Sequence, residues 1–350
     1  MIRTFTEAIH DATAWALENP SVHVLGLGAT YKNGLDGSMG SLADKFPNQI
    51  HDTPCSEAAV TGMAVGMAAM GLRPIVHHGR NEFAQFGADA ILTQAAAWEF
   101  MFGGDYPVPV VLRIAVGRQL GNGPQHTRVP RGMYAVPGLK VVIPSTPTMA
   151  KWLLTAAVND PGPVIYLEHR WLYKLKETIS ADWHGEFWPL NEARILREGT
   201  DVTIVAVADM VLEALRAAKK LATVGISAEV IDLVSLHPID YDTIIRSVRA
   251  TRRLLVADVS TPEFSVCNEI VGTVMRGPAV MELADLPAVI SCPSMPCPTA
   301  PSLSAEYYPT DQDIVAAVCE SMNKPFQRSP VRTFAELHHA PTDNIDELLQ

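Results

Sequence analysis

Residues 57–78 read E-A-A-V-T-G-M-A-V-G-M-A-A-M-G-L-R-P-I-V-H-H, a helical run of small residues followed directly by an apolar strand segment. Gly62 and Gly66 lie four residues apart, so they share one face of the predicted helix with neighbouring alanines. Each glycine destabilises a helix interior by about 1 kcal/mol relative to alanine, so two of them indicate close approach of another backbone. Either the helix packs tightly inside its own domain, or it forms a helix–helix seam between subunits.

This pairing of helix and strand repeats along the chain, because apolar runs of strand length alternate with helical patterns. Several runs are continuous Val, Ile and Leu, which is typical of parallel strands buried on both faces. The predicted strands are Val22–Leu27, Pro74–His78, Val108–Val116, Leu139–Pro144, Val164–Glu168, Thr203–Ala208, Ala228–Leu233, Arg253–Asp258 and Ala288–Cys292. The alternation predicts an α/β fold with a doubly wound parallel sheet.

Two predicted helices begin with recognisable capping residues. Thr4 and Glu7 have the spacing of a capping box, which predicts a helix that begins just after Thr4. Thr146 is followed by Pro147, which predicts an N-cap and a first-turn proline for a second helix.

The segment 174–200 interrupts the alternation, since it is polar and aromatic and has no clear strand. We therefore predict a first domain over 1–185, a linker over 186–200 and a second domain over 201–325. The remaining segment, 326–350, is polar and ends in acidic residues, which indicates an arm or a poorly ordered tail.

The composition of the chain excludes several classes of protein. Its 350 residues carry 27 Lys and Arg against 38 Asp and Glu, a formal charge of −11, which argues against a nucleic-acid backbone binder. The longest run of apolar and small residues, 58–72, is shorter than the roughly 20 residues of a membrane span, and the first residues lack a secretory signal. Five scattered cysteines fit free thiols in a reducing compartment. We expect a cytoplasmic protein without a membrane or nucleic-acid partner.

Two other motifs give weak signals. The glycine-rich stretch Gly34–Gly40 matches neither a dinucleotide fingerprint nor a P-loop, which favours an ordinary loop. Cys292 and Cys297 lack the spacing and the second ligand pair of a zinc site, so we predict no metal bound by this chain.

The segment Asp52-Thr53-Pro54-Cys55-Ser56-Glu57 places a carboxylate in the first turn of the glycine-containing helix. An ionised Glu is stabilised there by the helix dipole, which gives it a plain structural role. If a second polypeptide covers the helix, the same carboxylate can instead share a proton with a ring nitrogen of a ligand. The sequence pattern alone leaves both interpretations open.

This segment resembles the D-T-P-I-S-E motif of the beta subunits of thiamine-diphosphate-dependent 2-oxoacid dehydrogenases, of the pyruvate, branched-chain and acetoin types. The similarity continues in the same order through most of residues 3–320, including two longer stretches of the second half. The matching stretches are Gly71–Val76, Gln94–Ala96, Met101–Gly104, Gln125–Thr127, Pro137–Val142, Leu167–Tyr173, Asp201–Val211 and Gly225–Asp240. Several motifs in order are far more specific than any single one.

The resemblance implies a pyrimidine-binding domain followed by a transketolase-type C-terminal domain. In the family, the Glu of this motif hydrogen-bonds the aminopyrimidine of thiamine diphosphate and drives the cofactor to its reactive ylid; Glu57 is the matching residue. An aromatic residue that packs on the pyrimidine matches Phe83. The active-site histidine that faces the substrate matches His126. The implied activity is that of a 2-oxoacid dehydrogenase component.

Phe83 and His126 each have a plainer interpretation. Phe83 lies in an aromatic stretch and fits a core position when considered alone. His126 follows a loop rich in glycine and proline, where a histidine is a fair acid–base candidate because it titrates near neutrality.

The sequence contains no G-D-G motif of the kind that anchors the cofactor's diphosphate and Mg²⁺ in this class. The resemblance therefore implies a separate alpha-type subunit that holds both, in an α₂β₂ assembly with the active site at the subunit interface. Self-association through the beta subunit agrees with a seam at Gly62 and Gly66. A lipoyl acyltransferase core is a further partner that the resemblance leaves open.

The chain departs from the family pattern around the expected pocket. Leu27 and Gly28 stand where the family usually has an acidic pair, His77 stands at a strand position usually held by Glu, and Asn81 replaces an aromatic residue. The run 128–131 also differs. These changes leave the substrate open and keep two alternatives: a split transketolase-like enzyme that moves two-carbon units, and a non-catalytic scaffold.

Overall fold

Each half of the chain folds into a sheet covered by helices, and the two halves pack against each other. The structure is a computed structural model that describes residues 1–118, 123–126, 134–304, 306–328, 341 and 343–349. The α/β fold class predicted from the sequence is confirmed.

The first sheet is built mainly from the first half of the chain. Its strands are β2 (Val22–Gly26), β3 (Ile50–Asp52), β4 (Arg73–His78), β5 (Val111–Val116), β6 (Lys140–Val142), β7 (Val164–His169) and β12 (Ser235–His237). Their spatial order is β12-β6-β7-β5-β4-β2-β3. All neighbours are parallel except β12, which pairs antiparallel with β6. Two short strands, β1 (Ile2–Thr4) and β8 (Lys176–Thr178), form a separate antiparallel pair.

Helices cover both faces of this sheet. They are α1 (Phe5–Ala16), α2 (Leu42–Lys45), α3 (Glu57–Ala69), α4 (Asn81–Ala84), α5 (Ala96–Met101) and α6 (Pro147–Asn159). The predicted capping residues are confirmed, since Thr4 and Glu7 form the capping box of α1 and Thr146 caps α6. α1 and α6 pack together on one face, and α3 packs beside β4 on the other.

The second domain repeats the plan with a smaller sheet. Its strands are β9 (Arg194–Arg197), β10 (Val202–Ala206), β11 (Ala228–Asp232), β13 (Leu254–Ala257) and β14 (Ala288–Ile290), in the spatial order β14-β13-β10-β11-β9. Its helices are α7 (Asp209–Thr223), α8 (Tyr241–Thr251), α9 (Val266–Arg276), α10 (Pro301–Ser304), α11 (Asp311–Ser321) and α12 (Asp346–Leu349).

All nine predicted strands correspond to observed strands, most of them shorter by one to three residues at an end. The expectation that 174–200 holds no strand is wrong, because β8 and β9 lie there. Both are antiparallel to their partners, and β9 has a polar, partly exposed sequence that carries little of the apolar signal of a central strand.

The described residues near the end of the chain, 343–349, pack against the body of the protein; the arm or poorly ordered tail expected over 326–350 stays a prediction. Ile345 is fully buried, and its backbone N–H donates to the carbonyl of Lys176 at 2.9 Å. Asp346 begins α12 and accepts a hydrogen bond from the N–H of Thr178 at 3.0 Å.

Buried polar groups join the two domains. Arg118 donates to Asp209 at 2.9 Å, and both side chains are fully buried. His169 Nε2 lies 3.3 Å from the other oxygen of Asp209 and accepts the backbone N–H of Arg118. Ser145, after β6, donates to Asp232 at the end of β11 at 2.5 Å. The contact between the domains therefore includes specific buried polar pairs as well as apolar packing.

Two further observations concern the chain as a whole. None of the five cysteines forms a disulfide bond; Cys55 is exposed and the other four are buried. Within the described ranges, no helix combines the length and the apolar character that crossing a bilayer requires.

Asp232 gives a test of the domain seam. Burial raises the pKa of Asp232 from 3.8 to about 6, so the folded state binds this proton more tightly than the unfolded chain does. The stabilising contribution is therefore complete below pH 3.8 and is lost as the pH rises through about 6. In Asp232→Asn, which keeps an acceptor for Ser145, we expect urea unfolding midpoints to depend less on pH between 4 and 7. Asp285→Asn, at an exposed carboxylate, serves as the control; equal pH dependence in all three proteins would contradict the assignment.

Candidate active site

A cavity of about 210 Å³ opens at the carboxyl ends of β2, β3 and β4. This is the edge of a parallel sheet where α/β proteins commonly bind ligands. The cavity is lined by Leu27, Leu35, Asp36, Thr53, Pro54, Glu57, Val60, His77, His78, Gly79, Arg80 and Phe83. Two of the three site residues predicted from the sequence, Glu57 and Phe83, thus share one cavity.

Glu57 is the first residue of α3 and follows β3 across a short turn. The preceding Asp52 fixes this turn to the end of β2 by accepting the N–H of Gly28 at 2.5 Å. Thr61, one turn into α3, donates to the carbonyl of Glu57 at 2.7 Å and contacts His78 Nε2 at 3.0 Å. The start of α3 is therefore held against the sheet, and the carboxylate is directed to the cavity wall.

The pKa of His78 is affected by the nearby carboxylate of Glu57. Burial lowers the pKa of His78 to about 4, and the nearby carboxylate of Glu57 opposes that shift. The imidazole is thus neutral at physiological pH, and Glu57 has no cationic partner within ion-pair distance among the residues that the structure describes.

Phe83 lies on α4 with 40% of its surface exposed, although it is a large apolar side chain. His126 ends a short 3₁₀ turn, Pro124–His126, and its ring meets the Phe83 ring edge-on at a centroid distance of 5.5 Å. His126 is not among the cavity-lining residues, but it touches one of them through this contact. The core position considered for Phe83 does not hold in the single chain.

The floor of the cavity is a polar network that the sequence analysis missed. Asp36, in the turn Leu35–Gly37, accepts a hydrogen bond from Arg170 at 2.8 Å and lies 3.9 Å from His77 Nε2. Burial, and then the charge of Arg113, lower the pKa of His77 to about 3, so this imidazole is also neutral. The glycine-rich stretch 34–40 thus contributes the carboxylate of Asp36 to the cavity floor.

Beneath this floor, Arg113 and Glu168 form a fully buried ion pair between β5 and β7. Arg113 also donates to Ser38 at 2.9 Å, and Tyr173 donates to Glu168 at 3.1 Å. Arg113 and Glu168 lie 55 residues apart in sequence, so no local pattern predicts that they pair. The sequence signal that could have indicated a buried pair is an arginine inside the otherwise apolar strand β5.

The outward face of α3 is not covered by any part of the chain that the structure describes. No described atom lies within 4 Å of the position that a Cβ would occupy at Gly62 or Gly66, so packing against the described residues does not explain these glycines. Met63 and Met70, on the same helix and just after it, are 50% and 85% exposed. A surface of small and apolar residues this exposed is typical of an interface.

The cavity suits the ring end of a large cofactor better than the complete cofactor. A carboxylate and an aromatic face suit a planar heterocycle with ring nitrogens, and the volume suits a ring rather than a ring with a diphosphate. Among the lining residues that the structure describes, Arg80 is the one Lys or Arg, and its Nη1 donates to the carbonyl of Gly79 at 2.6 Å. In the described part of the chain, no three His, Cys, Asp or Glu side chains are grouped as a metal site. Arg128 and Arg131, which the sequence analysis noted, lie outside the described residues.

Comparisons with known proteins identify two domains in this chain. Residues 3–176 match the transketolase pyrimidine-binding domain model, and residues 191–314 match the transketolase C-terminal domain model. The chain is 38% identical over 296 residues to the beta subunit of acetoin:2,6-dichlorophenolindophenol oxidoreductase of Bacillus subtilis, covering 83% of this chain and 85% of that subunit. It is 39% identical over 304 residues to the mitochondrial pyruvate dehydrogenase E1 component subunit beta-1 of Arabidopsis thaliana, covering 85% and 83%.

A solved structure supports the fold independently. A split-gene transketolase, described as an inactive beta4 tetramer, superposes with a TM-score of 0.71 over 91% of this chain and 98% of that one. The sequence identity is 24%, so this likeness concerns the fold alone.

The buried pair under the cavity can be tested by stability measurements. In Glu168→Gln, Arg113 loses its buried counter-charge, so we expect the free energy of unfolding to fall by about 3–5 kcal/mol. The matched control is Glu18→Gln, which removes the exposed partner of Lys45 and should cost about 1 kcal/mol or less. Urea denaturation followed by tryptophan fluorescence measures both; equal losses would mean that the Arg113–Glu168 pair contributes no more than a surface pair.

Proposed function

The chain belongs to the family of beta subunits of thiamine-diphosphate-dependent 2-oxoacid dehydrogenases, and from this membership we propose that it forms one half of a shared active site. The other half is an alpha-type subunit that holds the cofactor's diphosphate and a Mg²⁺ ion. Glu57 and Phe83, which line one cavity whose described lining has Arg80 as its one Lys or Arg, carry this proposal. The proposed reaction is the decarboxylation of a 2-oxoacid, in the cytoplasm, as one step of a 2-oxoacid dehydrogenase.

Thiamine diphosphate, when bound, supplies the electron sink for cleavage next to a carbonyl group. The side chains of this chain would then bind and orient the cofactor and exchange protons with it. Glu57 would hold a proton at a carboxylate oxygen and share it with the ring nitrogen of the aminopyrimidine. Its position at the start of α3, with His78 neutral behind it, leaves the carboxylate available to the ligand.

Phe83 and His126 complete the proposed arrangement. The exposed ring of Phe83 would pack on the face of the aminopyrimidine, which would bury an apolar surface that water now covers. His126 lies against the edge of that ring and would exchange a proton with the substrate through a ring nitrogen.

The partner-facing surface is proposed to include the outer face of α3. Close packing of a second helix on Gly62 and Gly66 would cover the entrance near Glu57, since α3 begins at that residue. Exclusion of water strengthens the hydrogen bond between a carboxylate and a ring nitrogen. The seam would thus serve both assembly, including self-association of the beta subunit, and the chemistry.

Glu57→Ala tests the catalytic role. The chain is co-expressed with the alpha-type subunit encoded nearest to it, and decarboxylation of 2-oxoacids is assayed with added thiamine diphosphate and Mg²⁺. We expect turnover to fall by at least about 100-fold, because the proton-sharing group is removed, while co-purification stays unchanged. Glu99→Gln, on α5, is the matched control. Near wild-type turnover in Glu57→Ala would refute the role of Glu57, and an inactive wild-type complex would favour the scaffold alternative.

Gly66→Leu tests the interface. Within this chain the added side chain meets open space, so folding and far-UV circular dichroism should be unchanged. If a helix packs there, the leucine clashes with it, and we expect loss of the assembled species in size-exclusion chromatography with light scattering. Ala222→Leu, at an exposed position of α7, should leave assembly intact. Normal assembly of Gly66→Leu would place the seam elsewhere.

A further inference from the structure

A carboxylate that the proposed function does not use lies beside His126. Glu82 is the second residue of α4, directly before Phe83. Its Oε2 atom lies 3.8 Å from His126 Nδ1, and the side chains are 18% and 27% exposed. α4 thus faces His126 with two consecutive side chains, the carboxylate of Glu82 and the ring of Phe83.

The nitrogen that faces Glu82 needs a partner. His126 Nδ1 is buried and has no hydrogen-bond partner within the ranges that the structure describes. Buried polar atoms in folded proteins nearly always have one. A rotation of either side chain would shorten the 3.8 Å separation to a hydrogen bond, and catalytic hydrogen bonds are often long until an active site is complete.

A second buried side chain, Tyr134, lies near the carboxylate of Glu82. Tyr134 is buried and donates to Asn81 at 3.2 Å, next to Glu82 in the chain. Burial, and then the charge of Glu82, raise the pKa of Tyr134. The phenol therefore stays protonated, and the charge of Glu82 contributes to this shift.

We propose that Glu82 is a positioning residue that fixes the tautomer and the orientation of His126. A carboxylate on Nδ1 requires the proton at that nitrogen, which leaves Nε2 as the free nitrogen. Histidines that transfer protons are commonly oriented this way by a carboxylate. Asn81 and Glu82 are then coupled features of the divergent pocket, because Asn81 holds Tyr134 beside the carboxylate.

The first measurement uses the isolated full-length chain and does not depend on turnover. ¹⁵N-histidine NMR reports which ring nitrogen carries the proton, and His126→Gln identifies the signal by its loss. We expect the Nδ1–H form in the wild type and a shift toward the Nε2–H form in Glu82→Gln. Glu82→Asp, which keeps the charge, should retain part of the wild-type pattern, and Glu99→Gln should retain all of it.

The second measurement rests on the proposed function and uses the complex with the alpha-type subunit. We expect Glu82→Gln to lower kcat by about tenfold with little change in KM, because positioning of a proton-transfer group affects the chemical step. Partial recovery of kcat in Glu82→Asp would support orientation by the carboxylate rather than a general loss of structure.

The two measurements separate the two claims. An unchanged tautomer in Glu82→Gln would overturn the positioning role, whatever the activity. A changed tautomer with unchanged kcat would support the positioning role and instead contradict the proton-transfer role of His126.

Discussion

Parallel strands bring their carboxyl ends to a single edge of the sheet, and the candidate site depends on this constraint. β2, β3 and β4 are adjacent and parallel, so the turns that follow them meet there. Glu57 comes from the turn after β3, Phe83 from the helix after β4, and Asp36 from the loop after β2. These three residues are more than twenty positions apart in the sequence, so the sheet, and not the local chain, brings them together.

The same geometry explains why the sheet tolerates charge at its centre. Arg113 and Glu168 lie on adjacent parallel strands, β5 and β7, and their charges cancel inside the protein. Such a pair costs desolvation, so its net stabilisation is small, although removing one partner alone is strongly destabilising. Here it supports the layer of Asp36, Arg170 and His77 that forms the cavity floor. The neutral imidazole of His77 keeps that layer balanced, since one carboxylate faces one guanidinium.

The sequence was sufficient for the central strands because runs such as Val111–Val116 and Val202–Ala206 are apolar on both faces. It was insufficient for β12, a three-residue strand whose partner, β6, lies more than ninety residues earlier. For the site, ordered motifs led to Glu57, Phe83 and His126, and the structure brings the first two into one cavity. Glu82, Asp36 and Arg170 were not singled out, because their significance depends on contacts between distant segments rather than on spacing. The exposed face at Gly62 and Gly66 shows the opposite case, where the local pattern is clear and the described part of the chain supplies no packing partner for it.

The strand β12 makes the edge of the first sheet depend on both halves of the chain. It belongs to the second half of the chain, yet it completes the edge of the first sheet beside β6. The first half expressed alone would leave β6 as an edge strand with unpaired N–H and C=O groups, and such an edge can pair with strands of other chains. The first sheet therefore keeps its observed edge only when residues of both halves are present.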